Sequence, residues 1–273
     1  MRPLYWGEKM LPNLFINGFA CLTGDAPLED FAPFLEVRKL RRAEPISKNV
    51  LLCALRALQQ AQVPPSARED MGISLAMGAG ALGSTIKFMD SIIEDGDELS
   101  SPTAFASSVH NSTALMLSMF LQMHGPCVVT GQLDASFAGA LVTAQQFLAK
   151  HLCEQVLVVV TEDVNPLLQD VLQKDPHVFN PFLYQPTQKA QRVAAAFVLS
   201  AAATQYTQFV LHHLQLASTQ AVQTQSEPLI PVQSCAHSAL LLNHYLQAKK
   251  PFHLQEQFAG MLFNVQGEPY VLP

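Results

Sequence analysis

The stretch "VVTGQLDASFAGAL", residues 128–141, decides the fold. It reads as a short apolar strand, a tight turn and a helix of small residues. Such an elbow often presents a nucleophile, because the first amide groups and the dipole of the helix favour negative charge there. Here the turn carries Asp134, where chemistry of this kind would use cysteine or serine. The stretch therefore indicates an active site, a disabled active site, or only a turn.

Strand–helix units repeat on both sides of this elbow. Apolar runs predict buried strands, and apolar residues at helical spacing predict helices. Polar residues with glycine and proline predict a loop over 94–111. The order predicts an α/β fold, a layered mixed β-sheet with helices on both faces. The predicted strands are 14–23, 71–80, 125–132, 154–163 and 191–202, the predicted helices are 45–63, 81–93, 112–123 and 135–151, and residues 164–190 read as irregular.

The composition changes at about residue 204, where glutamine and threonine become frequent. The remaining sequence predicts an edge strand with a loop, a helix over 231–250, and a hairpin over 259–273 with Gly267 in its turn. The only candidate linker, 217–229, is short. We expect a single domain over 1–273, with 204–273 a divergent C-terminal extension that either joins the core layer or forms a surface for a partner.

Composition limits the possible partners and location. Of the 273 residues, 49% are hydrophobic and only 14% are charged, which favours a large core and surface buried against a partner. The formal net charge is −6, and "RKLRR", residues 38–42, is the one basic cluster, so nucleic acid is not expected as a partner. No apolar run reaches the roughly 18 residues that span a bilayer. The first 15 residues lack a signal-peptide pattern, and we expect a cytoplasmic protein.

The cysteines and histidines do not form a metal-binding pattern. Five cysteines, at 21, 53, 127, 153 and 235, have no CxxC spacing and are expected to be buried free thiols in a reducing compartment. His212 and His213 are adjacent and would face opposite sides of a strand. His237 and His244 share a helix face but lack a third ligand. We expect no metal and no cofactor.

Five stretches, taken in order, resemble the β-ketoacyl synthases over about residues 12–203. "LFINGFACLT" resembles the opening strand, and "MGISLAMGAGALGSTIKFMDSI" the second strand with its turn. The block from "SPTAFASSVHN" to "GQLDASFAGAL" resembles the central segment around the catalytic cysteine. "EQVLVVVTEDV" and "NPF…RVAAAFVLS" resemble the two segments that follow. "SVHN" and "GQLDASFA" are similar to the short members of aryl polyene-type clusters, including their chain length factors.

The resemblance implies a thiolase-like half-fold without its own nucleophile. In a complete synthase the elbow cysteine accepts the acyl chain, and a second half supplies two histidines; here no "HGT" occurs and about 70 residues follow the matched part. By register, Asp134 stands at the cysteine position. It marks a pseudo-active site, caps the helix that follows, or does both. Its neighbours are Gln132, a residue that chain length factors commonly carry in place of the cysteine, and Ser136, a hydroxyl outside a G-x-S-x-G motif.

The resemblance also implies residues that line an acyl tunnel or a dimer contact. His110 and Asn111 shape the tunnel, meet a partner chain, or only cap the next helix. The helix 112–123 is apolar nearly all round, so it is expected to be buried on more than one side, as ordinary core or at the closed end of a tunnel. The candidate residues are Phe105, His110, Asn111, Met116, Met119 and Phe120.

We therefore expect a non-catalytic chain length factor. It would pair as a heterodimer with a β-ketoacyl-ACP synthase, meet acyl carrier protein transiently, and shape the acyl tunnel in polyene, polyketide or fatty-acid-type elongation. The basic cluster 38–42 would then dock the acidic carrier protein, or is only a solvated charge run. The alternatives are a catalytically active short ketosynthase-like acyltransferase and a structural homodimeric scaffold.

Overall fold

The fold was obtained as a computed structural model that describes residues 12–41, 43–96, 100–132, 135–162, 170, 174, 192–218, 237–258 and 261–271. Eight strands, six α-helices and three short 3-10 helices have described bounds in this part of the chain. The strands are β1 Leu14–Thr23, β2 Gly72–Met77, β3 Cys127–Thr130, β4 Gln155–Glu162, β5 Val193–Ser200, β6 Phe209–Ser218, β7 Phe252–Phe258 and β8 Met261–Pro269. The helices are α1 Pro45–Gln60, α2 Leu82–Asp95, α3 Pro102–Ser108, α4 Ser112–Leu121, α5 Ser136–Ala149 and α6 His237–Ala248.

The strands form one mixed sheet in the order β3-β2-β4-β5-β1-β6-β8-β7. β2 runs parallel to both β3 and β4, whereas every other neighbouring pair is antiparallel. The parallel strands end at the same edge of the sheet, so the loops that follow β2, β3 and β4 meet there. The expected layered α/β fold with a mixed sheet is confirmed.

Both faces of the sheet are covered by helices. β4 and β5 are buried along almost their whole length, as expected for strands with helices on both sides. Successive side chains alternate: Val158 packs in the cluster under α5 and α6, whereas Leu157 and Val159 pack in the cluster under α1 and α4.

Close contact between α1 and β1 depends on a glycine. A methyl group placed on Gly18 would collide with the backbone carbonyl oxygen of Ala57. The absence of a side chain therefore lets α1 lie directly on β1, and the ladder between β1 and β5 is irregular between Ile16 and Gly18.

Within this chain helix α4 is buried on one side, and burial of its other side stays a prediction. Three predictions about elements are wrong. The expected loop 94–111 contains α3, which begins at Pro102 with the Ser101 side chain accepting a hydrogen bond from the amide of Ala104. β6 lies inside the sheet between β1 and β8, not at its edge. The C-terminal hairpin consists of β7 and β8, and Gly267 lies within β8, beneath the ring of Phe252.

The described strands after residue 204 join the main sheet. Leu254 of β7, Val265 of β8 and Leu242 of α6 are buried in the cluster that also contains side chains of β4 and β5. The assignment of 1–273 to one domain, with 204–273 as a divergent extension, remains a prediction. The expected irregular segment 164–190 lies outside the described residues except for 170 and 174, as do 219–236. Within the part of the chain that the structure describes, no helix has the length and apolar character needed to cross a membrane.

Candidate functional site at the β3–α5 elbow

The elbow joins the end of β3 to the start of α5. The amide of Ala135 donates to the carbonyl oxygen of Gln132 at 3.1 Å, which closes the turn. The Ser136 hydroxyl oxygen accepts a hydrogen bond from the amide of Gln132 at 2.8 Å, and its residue is fully buried. Asp134 lies outside the described residues, so its place at the lost cysteine position and its capping role remain predictions. The hydroxyl of Ser136 contributes to the turn and is not presented to solvent.

A glycine on α5 accepts the end of β3. A methyl group placed on Gly139 would come within 2.7 Å of Thr130 Cγ2 and 3.0 Å of Gln132 Oε1. The missing side chain at Gly139 therefore lets both residues pack on the first turn of α5. The Gln132 residue itself remains exposed at the elbow.

His110 is brought to the same place by the loop between α3 and α4. Its imidazole lies against Gly80, which follows β2 and has φ +71°, so a side chain there would be strained as well as obstructed. The same ring lies against Gly131, where an added methyl group would be 3.3 Å from His110 Cδ2. His110 thus contacts the glycines that follow two parallel strands, and it remains exposed. The second of these glycines, Gly131, directly precedes Gln132.

Glu162 completes this edge, and the sequence analysis missed it. Its residue is only 4% exposed, and its two carboxylate oxygens accept hydrogen bonds from the amides of Gly78 and Ala79, each at 3.1 Å. These two hydrogen bonds, which we call the clamp, join the end of β4 to the turn after β2. An acidic residue at the end of an otherwise apolar strand was the available signal.

The other predicted tunnel residues lie on α3 and α4. Phe105 is exposed, with its ring centroid 5.2 Å from that of Phe88. Met116 and Phe120 are partly buried against the core, whereas Met119 is 70% exposed. Asn111 is exposed and makes no side-chain capping bond to α4. His110 therefore reaches the elbow, while these residues form the adjacent layer and its surface.

An apolar surface lies beside the elbow. α2 packs against α3, α3 against α4, and α4 contacts β3. These elements and the loop after α3 supply seven of the ten large hydrophobic residues that are exposed in the described ranges. We call this set the edge surface, and it consists of Met89, Ile93, Phe105, Val109, Leu115, Met119 and Val128.

The strand beside this surface is itself exposed. Among the described strands β3 has β2 as its single neighbour, so its other side is an open sheet edge. Cys127, expected to be buried, is exposed because it begins this strand. Neighbouring atoms still desolvate the thiol in part, and this raises the pKa of Cys127. A raised pKa disfavours the thiolate, and the residue lies at the opposite end of β3 from the elbow.

In the described ranges, the remaining cysteines and histidines form no second site. Cys21, Cys53 and Cys153 are free thiols; Cys53 alone of the described cysteines is fully buried. No group of three or more potential metal ligands occurs in the described residues. His212 of β6 pairs with Glu268 of β8 at 3.2 Å. In the basic cluster, Arg38 pairs with Glu36 on the surface.

Comparison with known proteins agrees with this geometry. The family model described as the N-terminal domain of β-ketoacyl synthase matches residues 25–257. The chain therefore belongs to the β-ketoacyl synthase family. No curated protein matches the sequence.

Solved structures of ketosynthases share the fold at low sequence identity. The complex of the ketosynthase ApeO with its chain length factor ApeC, from Xenorhabdus doucetiae, aligns at 17% identity over 94% of this chain and 100% of that chain, with a TM-score of 0.63. A second structure, AntDE:AntF, contains a type II polyketide synthase acyl carrier protein in complex with its ketosynthase bound to the hexaketide. It aligns at 11% identity over 96% of this chain and 100% of that chain, with a TM-score of 0.75. A β-ketoacyl synthase from Burkholderia phymatum STM815 aligns at 11% identity over 95% and 100%, with a TM-score of 0.70.

Proposed function

We propose that the chain is a non-catalytic chain length factor that pairs with a ketosynthase subunit and bounds the tunnel for the growing acyl chain. The observation that carries the proposal is the open edge of β3 flanked by the edge surface. Unpaired backbone groups on an exposed edge strand form a template for another strand. Apolar side chains around such an edge favour a stable protein interface.

The elbow supports a role without its own nucleophile. The Ser136 hydroxyl is buried and hydrogen-bonded within the turn, and the Gln132 amide is not a nucleophile for acyl transfer. The thiol of Cys127 has a raised pKa and lies away from the elbow. We infer that the partner supplies the thiol and the catalytic histidines, and that Asp134 occupies the cysteine position without performing its chemistry.

Helix α4 connects the proposed interface with the proposed tunnel. Its buried side packs on the core through Leu117 and Leu121, while Leu115 and Met119 are exposed. A subunit seated along β3 would cover the exposed side and leave Met116 and Phe120 in the layer beside the elbow. Methionine adapts to irregular apolar shapes, which suits the closed end of an acyl tunnel.

The similar structures support the type of partner. Their descriptions include a ketosynthase with its chain length factor, and a ketosynthase with an acyl carrier protein. We propose a heterodimer with a ketosynthase, transient contact with acyl carrier protein, and a place in chain elongation of the polyene, polyketide or fatty-acid type in the cytoplasm. The "SVHN" and "GQLDASFA" stretches favour aryl polyene products within this range.

The native thiol of Cys127 provides a test of the interface. The chain is mixed with a candidate ketosynthase, and alkylation of Cys127 is followed by mass spectrometry. We expect alkylation to slow when the complex forms, because a strand added to β3 covers the thiol. Cys127→Ser identifies the labelled peptide. Val271→Cys, at a position 82% exposed on a different part of the surface, is the matched control whose labelling stays constant.

Three outcomes separate the candidate functions. Protection of Cys127 only with the ketosynthase, together with product formed only by the pair, supports the chain length factor. Protection in the isolated chain that depends on its concentration supports the homodimeric scaffold. Turnover of acyl and malonyl carrier thioesters by the isolated chain, abolished by Asp134→Ala, supports the acyltransferase and contradicts our proposal.

A further inference from the structure

Glu162 is a buried side chain whose carboxylate accepts hydrogen bonds from two consecutive backbone amides. Its Oε2 accepts from the amide of Gly78 and its Oε1 from the amide of Ala79. An ionised carboxylate out of water is unfavourable unless hydrogen bonds replace its hydration. Bonds from backbone amides to a carboxylate are charge-assisted and therefore stronger than neutral ones. The carboxylate consequently fixes the turn after β2 relative to the end of β4.

The turn after β2, which the carboxylate fixes, contacts the imidazole of His110. Gly80, the residue after the two amide donors, lies in contact with the imidazole. The imidazole also contacts Gly131, which follows β3 and leads into the elbow. A displacement of residues 78–80 would therefore move the imidazole relative to Gln132, although Glu162 itself lies on a third strand.

We propose that Glu162 is a positioning residue that holds His110 over the β3–α5 elbow by clamping the turn after β2. It acts through the backbone of Gly78 and Ala79 and through the contact between Gly80 and the imidazole. The inference deepens the proposed function and rests on it in one respect, namely that His110 belongs to the site that bounds the acyl chain.

The position of His110 can be followed in the isolated chain by the NMR signal of its imidazole Cε1–H group, assigned with His110→Gln. Glu162→Gln keeps the shape of the side chain but turns an amide NH₂ toward one of the two backbone donors. We expect the His110 signal to shift in Glu162→Gln. Glu154→Gln, which changes an exposed glutamate before the opposite end of the same strand, leaves the signal unchanged.

Two further variants keep the test decisive. Glu162→Asp retains the carboxylate on a shorter side chain and should restore the signal in part, and it serves if Glu162→Gln does not fold. Gly80→Ala keeps the carboxylate and both amide donors, but it strains the turn and obstructs the imidazole, so it should shift the same signal. Loss of thermal stability in Glu162→Gln with an unchanged His110 signal would show a merely structural role and overturn the proposal.

Product analysis separates this inference from the proposed function. In the complex with a ketosynthase, His110→Ala and Glu162→Gln should change the distribution of product lengths in the same direction, while Glu154→Gln does not. If no complex forms, the proposed function fails while the NMR result on the isolated chain still decides the inference. If His110→Ala changes product length and Glu162→Gln does not, the inference fails while the proposed function stands.

Discussion

At the scale of single residues, substitution of Ser136 distinguishes a structural role of its buried hydroxyl from a role as nucleophile. Ser136→Ala removes the acceptor for the Gln132 amide, and we expect a loss of about 1 kcal/mol of unfolding free energy. Denaturant titration measures this loss. Thr143→Ala, which removes a hydroxyl bonded to the Gly139 carbonyl oxygen on the same helix, is the control. Product formation by the complex should persist; its loss in a folded variant would identify Ser136 as a nucleophile.

The raised pKa values of two thiols predict how the free energy of unfolding responds to alkaline pH. Burial raises the pKa of Cys21 to about 11 and raises that of Cys53 further. An unfolded thiol has a pKa of about 8.5, so the unfolded chain loses these protons first. We therefore expect the contribution of these thiols to be fully present below about pH 8.5 and to fall as pH rises toward 11.

Urea titrations at several pH values check this dependence. The variant Cys21→Ala/Cys53→Ala should show a smaller fall in unfolding free energy over the same range, because its thiols no longer titrate. Thr143→Ala, which removes a hydroxyl and no thiol, is the control. An equal slope in the double variant and the unchanged chain would contradict the assignment.

At the scale of single residues, the sequence indicates which element holds a residue better than it indicates the tertiary surroundings of that residue. The fully buried Cys53 agrees with its apolar helix, whereas Cys127 is exposed because only tertiary pairing makes β3 an edge strand. The contact of His110 with Gly80 and Gly131 joins three loops that are distant in sequence. No local pattern could have brought these residues together.

At the scale of elements, the contact between α1 and β1 should be sensitive to one methyl group. Gly18→Ala forces the helix backbone at Ala57 away from the strand, and overpacking of this kind costs about 1–3 kcal/mol or more. Thermal or urea unfolding measures the cost. Gly24→Ala is the control, because Gly24 has φ +88° but open space around it, so its variant carries backbone strain alone. A smaller cost for Gly18→Ala than for Gly24→Ala would show that α1 moves freely.

Substitutions on the exposed and the buried side of helix α4 should affect association and folding separately. Met119→Lys changes a residue that is 70% exposed, so unfolding free energy should stay within about 0.5 kcal/mol. Binding to the ketosynthase should weaken strongly, because a charge would be buried in the interface. Sedimentation of the mixture measures binding. Leu117→Ala, on the buried side of α4, should instead cost about 2–5 kcal/mol of stability. Unchanged binding by a folded Met119→Lys would place the interface elsewhere.

Most elements could be predicted from hydrophobic periodicity, and the exceptions have physical causes. α3 has only seven residues, too few for a period to show, although Ser101 and Pro102 form a typical helix start. β6 looked like an edge strand because its interior position depends on β8, which comes about fifty residues later. Gly267 suggested a turn, yet it is needed inside β8 to make room for the ring of Phe252.

At the scale of the whole molecule, the strands after residue 204 should be part of one cooperative unit. Leu254 is buried in a cluster that reaches β4 and α5, so Leu254→Ala should cost about 2–5 kcal/mol. Native-state hydrogen exchange should then accelerate for amides of β2 as well as β7. Leu75→Ala in β2 is the reciprocal variant. Faster exchange confined to residues 204–273 would indicate a separately folding extension.

The pairing of β1 has a consequence for how the chain folds during synthesis. Its neighbours are β5 and β6, and the buried hydrogen bond from Asn17 to Ser200 joins residues 183 positions apart. A ribosome that adds roughly 5–20 residues per second therefore leaves β1 without its sheet partners for about ten seconds or more. Until then β1 remains an apolar segment without its two neighbours in the sheet. Late closure of the sheet centre is therefore the order of folding that this topology favours.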